Sequence, residues 1–87
     1  MTDSERCWLV ERTYTDRDLV VLIYATPDGE RKLRKELAST MLQRTTVTAA
    51  TDADPSNLEK VEDSETIDRY ATEVERVRES HAPDDPI

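Results

Sequence analysis

The longest apolar run in the chain, Leu19–Ala25, has no polar face. At the two-residue period of a strand, Leu19, Val21, Ile23 and Ala25 fall on one side and Val20, Leu22, Tyr24 and Thr26 on the other. Its β-branched residues, and the Pro27-Asp28-Gly29 turn that follows, predict a strand over Leu19–Thr26. Proline presets the second turn position and Gly29 supplies the left-handed backbone that closes a bulged hairpin. A strand apolar on both faces must be covered on both.

After the turn, Glu30–Leu37 fits two patterns. As a strand it sets Leu33, Lys35 and Leu37 against Lys32, Arg34 and Glu36; as a helix it aligns Leu33, Leu37 and Met41 at i, i+4, i+8. The strand is preferred because the turn needs a partner for Leu19–Thr26, with a short helix then expected near 39–44. Upstream, Arg6–Tyr14 predicts a strand with Trp8, Val10, Arg12 and Tyr14 on one side and Cys7, Leu9, Glu11 and Thr13 on the other. Thr15–Asp18 reads as its connecting loop. Thr45–Thr51 predicts an edge strand, 52–57 a turn cluster and Leu58–Glu62 a short extended piece.

The clearest element is the last. Asp63 is placed to cap a helix over 64–81, and Ile67, Tyr70, Ala71, Val74 and Val77 form one apolar stripe along it. The pattern predicts an α+β fold: a small, mainly antiparallel β-sheet of three to five strands with a C-terminal amphipathic helix. Residues 1–82 form the single domain, and 83–87, beyond Pro83, a flexible tail.

Composition sharpens one consequence. Hydrophobic residues make up 36% of 87 and phenylalanine is absent, so the core is thin. One helix covers one sheet face, and 39–44 offers only Met41 and Leu42 for the other. Each buried Leu, Val or Ile gains roughly 1.5–3 kcal/mol, so a wet face would erase much of a small domain's margin. This predicts a homodimer or a complex with another protein, with Trp8, Val10, Val20, Leu22 and Tyr24 as the interaction candidates.

The net charge is -8, from 20 acidic and 12 basic residues. Only Lys32, Lys35 and Lys60 are lysines, and Gly29 is the only glycine. Self-repulsion of this kind is screened at molar salt, where the Debye length is about 3 Å. Cys7 stands alone, which excludes an intrachain disulfide and agrees with a reducing interior. The polar N-terminus is unlike a signal peptide, and no apolar run is long enough to span a bilayer. A soluble, cytoplasmic, non-membrane protein is expected.

Candidate chemistry is sparse. His81 lacks a second ligand at fixed spacing, Cys7 lacks an evident base, and the pairs Asp52/Asp54 and Asp84/Asp85 lack the pattern of a calcium loop. No catalytic, metal or cofactor set emerges, and an enzyme is not expected. The anomaly is Arg31, Lys32, Arg34 and Lys35, four basic residues within five positions of an acidic chain. They are candidates for binding anions or nucleic acid, or for protecting a strand edge with charge.

The blocks Tyr24–Arg31, Val47–Ala50 and Tyr70–Val77 resemble those of small uncharacterised acidic proteins of halophilic archaea. That resemblance implies a salt-rich habitat and carries no activity. The expectation is a non-enzymatic interaction or oligomerising protein, with a nucleic-acid-binding or regulatory protein using 31–35 as the alternative.

Overall fold

The two-sided apolar run is the central strand of the sheet. The computed structural model describes residues 4–15, 18–42 and 46–87. Its elements are β1 (Glu5–Tyr14), β2 (Leu19–Ala25), β3 (Arg31–Ala38), a single helical turn α1 (Ser39–Leu42), β4 (Ala50–Ala53), β5 (Glu59–Lys60) and α2 (Ser64–Ser80). The five strands are antiparallel in the order β4-β1-β2-β3-β5, so the fold is α+β and mainly sheet. Residues 30–37 resolve in favour of the strand, since β3 pairs with β2 from Lys32 to Ala38. Positions 16–17 of the expected loop, 43–44 of the expected helix and Thr45 of the expected edge strand lie outside the described residues.

The Pro-Asp-Gly turn closes as its residues dictate. Gly29 has φ +74°, and its N–H donates to the Thr26 carbonyl at 2.8 Å. The Thr26 hydroxyl donates to the Asp28 carboxylate at 2.6 Å and the Glu30 N–H donates to it at 2.9 Å. Those bonds hold the Asp28 carboxyl below its ordinary pKa, the Thr26 hydroxyl contributing most. Glycine is required here for a second reason. A Cβ at Gly29 would overlap the Ile67 carbonyl oxygen and lie 2.9 Å from the Ala71 nitrogen, because α2 rests directly on the turn.

α2 starts where Asp63 accepts from the Thr66 N–H at 3.1 Å and the Thr66 hydroxyl at 2.7 Å. Tyr70 and Val74, flanked by Ile67 and Val77, pack on Trp8, Val21, Ile23 and Ala25. This is the first sheet face.

Alternation along β1 does not run through. The pairing with β2 shifts between Leu9 and Glu11, so Val10 is the extra residue of a β-bulge. Up to Leu9 the faces are as read, with Trp8 under α2 and Cys7 and Leu9 on the second face. Past the bulge the sides exchange. Glu11 pairs with Ile23 of the first face and reaches Arg69 of α2 at 3.6 Å, while Arg12 pairs with Leu22 of the second. The expected grouping of Trp8 and Val10 with Arg12 and Tyr14 is therefore corrected.

The second face holds Cys7, Leu9, Val20, Leu22 and Tyr24, and the chain covers it by itself. To pass from β3 to β4, the backbone must travel from one side of β2 to the outer side of β1, and Val47 on that crossing joins this cluster. The return from β4 to β5 adds Leu58, and Leu33 and Leu37 flank the cluster on β3. Val20 and Leu22 are 0% exposed and Tyr24 4%. One chain is long enough to hide this ribbon after all, because the connections carrying Val47 and Leu58 supply the cover that a second helix would have given. Met41, credited as cover, is 47% exposed.

Two boundaries also move. The strand expected at 45–51 sits at Ala50–Ala53, opposite Glu5–Trp8, because the residues before it serve the crossing. Residues 83–87, expected to be a free tail, run beside 47–50: the Ala50 N–H donates to Pro83 O, the Ala49 N–H to Asp85 O and the Ile87 N–H to Val47 O, each at 2.8–2.9 Å.

Candidate functional site

The five interaction candidates are core residues. Trp8, Val20, Leu22 and Tyr24 are buried, and Val10 is half-buried against the α2 face. The four buried ones present no free surface to a partner, and Val10 lines a groove beside α2. Trp8 also carries the Arg78 guanidinium 5.9 Å from its ring centre.

The titratable candidates are occupied by structural tasks. Cys7 is fully buried, and burial together with the neighbouring Glu5 carboxylate pushes its thiol up to about 11, the opposite of a nucleophile. His81 ends α2, its N–H donating to Val77 O at 2.8 Å. Asp54 caps the short 3-10 turn Pro55–Asn57 through the Ser56 N–H and hydroxyl, which lower its pKa. Asp52 faces Arg6 at 3.6 Å and Asp85 accepts from the Ala82 N–H at 2.8 Å. Among the described residues no three His, Cys, Asp or Glu side chains gather as a metal site, and no helix is long and apolar enough to cross a membrane.

The basic cluster lies on β3, the strand nearest one edge of the sheet, and is split by the pleat. Arg31 and Lys35 share a face with the half-buried Leu33 and Leu37; Lys32 and Arg34 share the other with Glu36. Arg31 is bonded to Glu5 and Arg34 to Glu36 at 2.5 Å. Lys60 stands opposite Arg31, so all three lysines of the chain border this edge.

The edge is open. β5 pairs only with Arg31 and Lys32, and no further strand pairs along the outer side of β3 among the described residues. Which backbone groups this frees follows from the ladder. The Thr26 N–H donates to Arg31 O at 3.0 Å and the register runs on without a shift, so Leu33, Lys35 and Leu37 bond inward to β2. Arg34, Glu36 and Ala38 therefore aim their N–H and C=O groups outward. The Val61 N–H donating to Glu30 O at 2.8 Å agrees with that alternation. β1 has a shorter free stretch past its bulge, where the Arg12 guanidinium is tied to Ile87 O at 3.0 Å.

A groove of about 340 Å³ lies between the β1 bulge and the end of α2. In it Glu73 is paired with Arg76 at 2.8 Å, Glu11 with Arg69 at 3.6 Å and Arg12 with Ile87 O at 3.0 Å, and His81 also lines it.

The chain belongs to a family of unknown function, DUF7967. The family model matches residues 1–87. No curated protein and no solved structure matches the chain.

Sequence reading singled out the four basic residues and the possibility that they guard a strand edge, but not which backbone groups that edge leaves free. The signal was present in the order Leu33-Arg34-Lys35-Glu36-Leu37, which becomes legible once this segment is a strand with one side unpaired.

Proposed function

We propose that this protein is a non-enzymatic interaction protein of a salt-rich cytoplasm, and that it takes a strand from a protein partner on the open edge of β3. The observation that supports this is the row of outward backbone groups at Arg34, Glu36 and Ala38, beside an edge strand that stops at Lys32. Strand addition draws affinity from such groups and specificity from alternate side chains. The salt-rich setting is supported by the net charge of -8 and by the scarcity of lysine. The same edge ranks protein above nucleic acid as the partner: the basic cluster is divided between two faces, and both its arginines are paired to carboxylates. Phosphate contacts also weaken steeply with salt.

The test is photo-cross-linking from position 38 in extract of the source cells, at native ionic strength, with Glu36 and Glu36→Pro forms compared. Proline at an outward position removes a free donor and spares the β2 ladder. A protein adduct mapping to 34–38 that is lost in the proline variant is expected. Equal adducts from both, or none from either, defeat the reading.

A further inference from the structure

The open edge of β3 is complementary to itself. Read antiparallel against a second copy and centred on Lys35, the segment Leu33-Arg34-Lys35-Glu36-Leu37 sets leucine against leucine and arginine against glutamate at both ends. We infer that the occupant of this edge is a second copy of the chain, joined β3 to β3 about a two-fold axis at Lys35. This rests on the edge reading above and names its partner.

Three independent features agree with this register. The first is hydrogen-bond parity: Arg34 and Glu36 have outward N–H and C=O groups, and they are the residues that meet, so each pair exchanges both backbone bonds. The second is side-chain parity. Leu33 and Leu37 lie on the second sheet face and are half-buried, so each copy completes the other's partial cover. Arg34 and Glu36 share the first face, and their exposed pair within one chain becomes two pairs between chains. The third is length. β5 pairs no further than Lys32 and β3 ends at Ala38, so Leu33–Leu37 lies within the free stretch of both copies, while Ala38 falls opposite Lys32 of the second copy, where β5 already sits, and stays unpaired.

Neighbouring registers are worse. Centring on Arg34 or on Glu36 opposes like charges at bonded positions, and the former also runs into the part of β3 that β5 occupies. The chosen register has two costs: the two exposed Lys35 side chains face each other, which salt screens, and Ala38 at the strand end must stay clear of β5 opposite Lys32. A two-fold contact of this kind closes at two copies. Pairing β3 of one copy with the opposite edge, β4, of the next would instead propagate without end.

Sedimentation equilibrium at the lowest potassium chloride concentration that keeps the chain folded tests the inference, with circular dichroism confirming each variant's fold. Wild type is expected to dimerise. Arg34→Glu alone and Glu36→Arg alone each place like charges at both ends, and each is expected to weaken dimerisation roughly tenfold or more. Mixing the two restores opposite charges throughout and is expected to restore association as a heterodimer, and Lys35→Thr is expected to tighten the wild-type dimer. A wild type monomeric to millimolar concentration overturns the inference. So do single variants that dimerise like wild type, or a mixture that stays monomeric. If wild type is monomeric while a different protein cross-links at 34–38, only the identity of the partner falls. If wild type dimerises and Glu36→Pro dimerises equally well, the edge reading falls with it.

Discussion

Gly29→Ala is the substitution whose effect follows most directly from the geometry. Two costs add. Alanine at φ +74° sits in the left-handed region, a penalty of about 1–2 kcal/mol for an L-residue. Its Cβ also overlaps the Ile67 carbonyl and crowds the Ala71 nitrogen. Both are helix backbone that cannot swing aside as a side chain does, so α2 must lift and loosen Tyr70 and Val74. Overpacking of this kind costs about 1–3 kcal/mol. The sum is roughly 2–5 kcal/mol, a large part of the 5–15 kcal/mol or so that a typical domain has. Urea titration followed by circular dichroism should show a lower midpoint at unchanged slope, and the melting temperature should fall by at least about 8 °C. Gly29→Asn separates the costs, since asparagine tolerates the backbone angle but keeps the Cβ. A near-native Gly29→Asn would refute the helix-contact half of the reasoning; a Gly29→Ala change below about 0.5 kcal/mol would refute both halves.

Three further outcomes are expected. Leu22→Ala, on the face covered by chain crossings, should destabilise by about 2–5 kcal/mol in the same titration, whereas a surface-like loss below about 1 kcal/mol would mean the face is wet. Cys7 should resist alkylation at pH 8 until denaturant is added; with the folded thiol at about 11 against 9.0 unfolded, its contribution to stability is intact below pH 9 and is lost as pH rises toward 11, which a pH series of urea midpoints would detect and rapid native labelling would contradict. The melting temperature should climb from low to molar potassium chloride as screening relieves the net charge of -8, and a flat profile would remove the argument for a salt-rich setting.

The sequence carried the elements better than their arrangement. Local chemistry decides the Pro27-Asp28-Gly29 turn and the Asp63 cap within a few residues, and both formed as read. The Val10 bulge left no local mark. Its Arg-Cys-Trp-Leu-Val-Glu-Arg run is apolar on both sides through Val10 and polar after it, and only pairing with β2 shows that Glu11 and Arg12 have exchanged faces. The cover over Leu22 was illegible for a related reason. Val47 and Leu58 lie in stretches without periodicity, and they reach the second face only because β4 and β5 occupy opposite edges. The candidate site shared this fate: composition flagged Arg31–Lys35, but the open edge depends on how short β5 is.

One chain closes its own core and leaves the edge of β3 for pairing. Residue-resolved amide hydrogen exchange, measured across protein concentration, tests both halves at once. The amides of Val20, Leu22 and Tyr24 should stay strongly protected at every concentration, while those of Arg34 and Glu36 exchange freely when dilute and become protected when concentrated. Loss of β2 protection on dilution, or outward β3 amides that exchange alike at every concentration, would contradict it.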